Sequence, residues 1–451
     1  PPEYGIVGIT AYGTLLSGYH YDWLQRELVR PFYFTDNERL PQYATEDVLR
    51  ARVERDNLEP NIVEAQNGRR LAELNLKRLI HVPAEQPVVL STPLTPAIAD
   101  VDRLALREAL ENGLVLSGPN RHEAALAELV CTRFPSVDQV RFCNSGTEAN
   151  LFALITAQNV TDRSRIVAFD GAYHGGVLTF PTGSGAGRMN APFDVVVAPY
   201  NDPEAAAQQI TDHAGTLAAV IVEPLLGAAG NIPASRAFLQ SLREACTQTG
   251  ALLIFDEVKT SRLGAAGLQG YFDITPDMTT FGKYLGGGLP VGAFGGRRDI
   301  MERFDPTGAQ PLGHAGTFNN NTLSMAAGAA GLSQVFTPAR AEDFLVRTEA
   351  FRRRMNEAFR ARGLAVVLSG IGSILSLHLG RTPPETCAAI DGATPLLRRQ
   401  VHLNALEKGL ALTPRGDIFL SLPMSDQTLD HIHATLLEAV TEELPLLGPA
   451  R

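Results

Sequence analysis

Leu252-Leu253-Ile254-Phe255-Asp256-Glu257-Val258 is a run of four apolar residues closed by two adjacent carboxylates. A short apolar run of this kind reads as a strand buried on both faces, as in parallel sheets covered by helices. The carboxylates then stand at the strand's carboxyl end, where open α/β sheets gather their ligands. Such an acid either pairs with a helix end or faces the cationic nitrogen of a ligand. The run itself leaves both open.

The pattern repeats on either side. Further strands are predicted at 140–143, 165–169, 195–198, 219–222 and 293–295, with helices between most of them, for example 147–158 and 234–250. Alternation of this kind is the mark of an α/β fold, a mainly parallel sheet flanked by helices. Beyond Thr337 a long helix over 338–362 and strands at 365–369 and 374–379 predict a smaller α+β domain. A chain of 451 residues exceeds what one core serves. The expected division is an N-terminal segment (1–100), a large domain (101–335) and a C-terminal small domain (336–451).

Two other segments carry chemistry. Asn144-Ser145-Gly146-Thr147-Glu148-Ala149-Asn150 follows a predicted strand and opens a helix. Gly146 admits close backbone approach, Ser145 and Thr147 add hydroxyls, and the first helical amides are unpaired donors. That makes a phosphate cradle, or simply an N-cap. In Thr279-Thr280-Phe281-Gly282-Lys283-Tyr284-Leu285-Gly286-Gly287-Gly288-Leu289-Pro290 a lysine stands in an apolar, glycine-rich turn. An amine enclosed there loses basicity and becomes nucleophilic; the glycines alone would mean only a flexible loop.

In the order cradle, carboxylate, lysine, each at a strand end of one sheet, these segments resemble the class III (ω-type) aminotransferases of pyridoxal-phosphate (PLP) fold type I. Tyr173-His174-Gly175, Val222-Glu223-Pro224 and Gly316-Thr317-Phe318-Asn319-Asn320-Asn321 add to the resemblance, which spans roughly residues 100–450. It implies that Lys283 holds PLP as a Schiff base and later shuttles the proton, and that Asp256 bonds the pyridine nitrogen. Val258 would pack under the ring and Tyr173 stack on its other face, supported by His174. Ser145, Gly146 and Thr147 would hold the phosphate. Thr317 would reach the phosphate of a neighbouring subunit in a homodimer with interfacial active sites. Glu223 is either an acid near the substrate pocket or one half of a structural ion pair.

Within that family the segments 256–262, 317–321 and 414–423 are similar to β-amino-acid transaminases acting on β-phenylalanine, and more distantly to glutamate-1-semialdehyde aminomutase. The likeness gives Arg415 a substrate carboxylate to bind, a task suited to a planar, permanently charged fork; the alternative is a structural salt bridge. The implied reaction is ping-pong transfer between an amino donor and a keto acceptor, with an aminomutase or racemase using the same lysine and carboxylate as the alternative. A binding or regulatory module on this fold is disfavoured by the complete Ser145, Asp256 and Lys283 set. One departure stands out. The Gly-x-x-x-x-Asp-x-Asp-Gly strand motif usual near the family's N-terminus is missing from residues 1–100. Residues 1–43 hold instead six of the ten tyrosines and Trp23, read as a packed arm, a wall over the substrate pocket or a dimer contact.

Composition narrows the rest. The net charge of −10 is spread without blocks of one sign, so nucleic acid is not an expected partner. Cys131, Cys143, Cys246 and Cys387 form no CxxC pair, so neither a zinc site nor a disulfide framework is expected. A helix at 45–80 and another at 100–112 frame a proline-rich stretch. No apolar run is long enough to span a bilayer and no secretory signal is visible, which makes cytoplasmic the default location.

Overall fold

The computed structural model describes the backbone of residues 18–22 and 27–32, and residues 113–114, 118–183 and 185–447 in full apart from the Leu447 side chain. The chain divides into two units, Pro1–Pro93 and Leu94–Arg451. In the first, β1 (Gly18–Asp22) pairs antiparallel with β2 (Glu27–Phe32). The predicted helices at 45–80 and 100–112, the proline-rich stretch and the side chains of the aromatic segment 1–43 lie outside the described residues.

The second unit is built on a seven-stranded sheet. Its strands are β3 (Gln139–Cys143), β4 (Arg165–Phe169), β5 (Asp194–Ala198), β6 (Leu217–Val222), β9 (Leu252–Asp256), β10 (Met278–Gly282) and β11 (Gly292–Gly296). A small hairpin, β7 (Leu225–Leu226) with β8 (Ile232–Pro233), follows β6. The spatial order is β3-β11-β10-β9-β6-β4-β5. Pairings from β5 through β10 are parallel, and β11 runs against both of its neighbours. The carboxyl ends of β3, β4, β6, β9 and β10 therefore open on one edge of the sheet.

Helices α1 (Arg121–Arg133), α2 (Gly146–Thr161), α3 (Pro203–Asp212), α4 (Arg236–Thr249), α5 (Gly267–Phe272) and α6 (Thr322–Ala330) connect or cover these strands. Capping residues start them where the sequence changes from loop to helix. Ser145, Asp202 and Ser235 each accept a bond from the backbone amide three residues on. The core between the layers is made of strand side chains such as Val220, Ile254 and Phe255 against Leu154, Phe238 and Leu242.

β10 was expected only as the strand end before Lys283, with no range predicted, because Thr279, Thr280 and Gly282 interrupt its apolar run. It is buried regardless, since its hydroxyls are satisfied inside. Thr280 donates to Asn150 Oδ1 at 2.6 Å, and Thr279 lies 2.7 Å from the Ser136 hydroxyl.

The residues after Phe336 form a second, antiparallel sheet, β12 (Val366–Ile371), β13 (Ile374–Leu379) and β14 (Asp417–Phe419). It is covered by α7 (Pro338–Ala361), α8 (Thr394–Glu407) and α9 (Asp426–Glu443) over a separate apolar core that includes Phe351, Leu368, Leu397 and Leu436. Buried bonds join this sheet to the turn of the β7–β8 hairpin: Asn231 Nδ2 to Leu375 O at 2.8 Å, and Ser369 Oγ to Asn231 O at 2.7 Å. Among the described residues no helix is long and apolar enough to cross a membrane.

Candidate active site

A cavity of about 520 Å³ opens where the parallel strands end. Gly146 and Thr147 reach it from the start of α2, Tyr173 and His174 from beyond β4, and Glu223 from beyond β6. Asp256 lines it from the end of β9, Lys283 from the residue after β10, Arg415 from the turn before β14 and Phe419 from the end of β14.

Asp256 is held by three contacts. Its Oδ2 accepts from Asn150 Nδ2 and lies 2.8 Å from His174 Nδ1, and its Oδ1 accepts from the Val258 amide at 3.1 Å. His174 therefore braces Asp256, where the sequence reading had it supporting Tyr173. The reason is geometric: the His174 ring turns into the protein, while the Tyr173 side chain is half exposed at the cavity. Asn150 adds a bond to the His174 carbonyl at 2.9 Å. The neighbouring Glu257 points the other way and is fully buried. It accepts from the Leu268 and Gln269 amides at the start of α5, from Gln269 Nε2 and from the Thr260 hydroxyl. Of the two roles open to an acid at this strand end, Glu257 takes the helix-capping one. Burial pushes its carboxyl up, against the pull of those donors.

Ser145 is the N-cap of α2, accepting from the Glu148 amide at 3.2 Å, and it does not line the cavity. Gly146 and Thr147 do line it, with early helical amides at the positive end of a helix of 16 residues. A Cβ on Gly146 would lie 2.6 Å from Val258 Cγ1, so close packing against Val258 requires glycine there.

Lys283 departs from expectation. Its side chain is exposed at the cavity, not enclosed. Its backbone is left-handed, φ 54°, a strained conformation for a residue with a side chain. The enclosed lysine is Lys259, which sequence reasoning did not single out although it lies in the quoted 256–262 segment. Burial lowers it to about 8, in spite of the nearby Asp417 and Glu223 carboxylates.

Glu223 accepts from the Tyr173 amide at 2.9 Å and the Gly227 amide at 3.1 Å, and burial raises its carboxyl. Arg415 borders the cavity with a side chain 70 % exposed and is paired with Asp417 at 3.2 Å. Thr317 lies in an exposed turn and does not line the cavity of its own chain.

The donor set fits PLP: an exposed amine for an aldehyde carbon, a fixed carboxylate for a cationic ring nitrogen, and unpaired helical amides for a phosphate. Among the described residues no cluster of His, Cys, Asp or Glu could hold a metal ion.

The sequence model of the class-III aminotransferases matches residues 54–440. The chain belongs to the class III aminotransferase family. The β-phenylalanine transaminase of Variovorax paradoxus is 48 % identical over 338 residues, covering 74 % of this chain and 76 % of that protein. The solved structure of an ω-transaminase from Sphaerobacter thermophilus superposes with a TM-score of 0.71 at 34 % identity, over 76 % of this chain and 83 % of that one. A glutamate-1-semialdehyde 2,1-aminomutase of Nitratidesulfovibrio vulgaris is 39 % identical over 323 residues, 69 % of this chain and 75 % of that protein. This class III chain is thus a PLP-dependent transaminase of fold type I.

Proposed function

We propose that this transaminase moves the amino group of an aromatic β-amino acid to a keto acid, with Lys283 anchoring the cofactor and moving the proton. The observation that carries the reading is one cavity holding Lys283, Asp256 and the Gly146–Thr147 amides, with Arg415 at its edge. The likeness to a β-phenylalanine transaminase supports the substrate class.

When bound, the cofactor supplies an electron sink for the carbon that carries the substrate nitrogen. Asp256, fixed by Asn150, His174 and the Val258 amide, would meet the ring nitrogen. The phosphate would take the free amides of Gly146 and Thr147, with the Ser145 cap setting the helix start. Val258 and Tyr173 would bracket the ring. Lys283 Nζ, uncovered in the cavity, would take the proton from the substrate carbon and return it at the cofactor end. Arg415 would orient the substrate carboxylate, and Glu223 would border the pocket beside Tyr173. Thr317 would complete the phosphate site of a second copy, making the enzyme a homodimer, and cytoplasm is the proposed location.

Mixing holoenzyme with 3-amino-3-phenylpropanoate and no acceptor tests the reading. The visible cofactor band should fall as one equivalent of keto product per site appears. A band changed only by α-amino donors would overturn the substrate class. Reordering of the amino group within one molecule, with no keto product released, would favour an aminomutase.

A further inference from the structure

Three cationic side chains line the cavity: Lys283, Arg415 and Lys259. The proposed chemistry employs the first two, and Lys259 is left over.

Its surroundings are built. Nζ donates to Asn231 Oδ1 at 2.6 Å and, at the long limit of 3.4 Å, to the Gly227 carbonyl. The remaining donor has no partner among the described residues, and no carboxylate of those residues is within ion-pairing distance. The ammonium lies 5.1 Å from the centre of the Phe419 ring, which also lines the cavity. Asn231 is fully buried and holds a left-handed backbone, φ 54°. Its amide nitrogen is committed to Asp417 Oδ1 at 2.9 Å and Leu375 O at 2.8 Å, so its oxygen is turned toward Lys259. Asp417, 4 % exposed, is in turn paired with Arg415. One buried Asn–Asp unit thus holds both cations at the same cavity, and it gives Arg415 a counter-charge in contact while giving Lys259 none.

A lysine needed only to tether Asn231 would do so through a neutral donor equally well. A half-buried ammonium that faces the cavity with a donor beyond its bonds to Asn231 and Gly227 is placed to meet an anionic group of the substrate. Asp417 and Glu223 favour its charge from a distance, and Lys283 and Arg415 oppose it.

We infer that Lys259 is a specificity-determining residue. Its ammonium, with Arg415 held alongside through Asn231 and Asp417, receives the substrate carboxylate, so the site selects amino acids over simple amines. The inference rests on the transaminase reading of the cavity and not on the identity of the amino acid.

The test compares wild-type holoenzyme with Lys259→Met and Lys259→Arg. One readout needs no turnover: the dissociation constant of 3-phenylpropanoate, an unreactive carboxylate, measured by calorimetry. The other is the ratio of KM for 3-amino-3-phenylpropanoate to KM for 1-phenylethylamine, which lacks the carboxylate. Loss of a charged hydrogen-bond donor predicts that Lys259→Met raises both the dissociation constant and the ratio by about tenfold or more. Lys259→Arg should recover most of the loss. In the wild type, carboxylate affinity should weaken as pH rises into the range where Lys259, held below the ordinary lysine value by burial, loses its charge, and this inflection should vanish in Lys259→Met. A carboxylate affinity within twofold of wild type, or equal losses for amine and carboxylate, would overturn the inference. If the β-amino acid proves not to be a substrate, an α-amino acid and its decarboxylated amine give the same comparison. The two failures are then separable.

Discussion

His174 has one side-chain hydrogen bond among the described residues, its Nδ1 to Asp256, and its buried Nε2 meets no hydrogen-bond partner there. The ring is thus a positioning device for the carboxylate. Replacing His174 with Phe keeps the ring and removes that contact from a buried acceptor, at an expected cost of about 1–3 kcal/mol in unfolding free energy. The visible absorption maximum of the bound cofactor should shift and kcat should fall with little change in KM, a pattern that a loss of stability alone would not give. Denaturant titration, a spectrum and steady-state kinetics check it. Asp256 and Lys283 were legible because their chemical types are conspicuous where they stand. Asn231 was not, since its meaning comes from Leu375 and Asp417, more than a hundred residues away in sequence.

At the scale of elements, Asp256 ends β9 and Glu257 follows it, and the chain's alternation sends the two acids to opposite sides. Asp256 faces the cavity, and Glu257 caps α5, which has no side-chain cap of its own. Exchanging Glu257 for Gln places an amide NH₂ where four donors need acceptors. The expected cost is about 3 kcal/mol of stability, read by urea unfolding, with cofactor binding retained below the transition. Strands read as apolar runs, so those at 165–169 and 374–379 match the predicted bounds. β10 escaped because its threonines are paired inside, and the reversed direction of β11 has no local signal because pairing partners are set by the whole sheet.

For the whole molecule, the cavity is completed only where the two sheets dock. Arg415 and Phe419 belong to the antiparallel sheet's segment, and Arg262 ties the two with bonds to Ser373 O at 3.2 Å and Leu420 O at 3.3 Å. Sequence reading gave each wall separately but not their junction, which depends on long-range bonds and on the left-handed turn at Asn231. Two lysines consequently share one cavity, with the cofactor on the strained, exposed Lys283 and the carboxylate on the half-buried Lys259 as the proposed division. Reduction of the holoenzyme with borohydride, followed by peptide mapping, separates them directly. The reduced cofactor should be found on the peptide containing Lys283 in full yield; a label on Lys259, or no covalent label at all, would contradict the assignment.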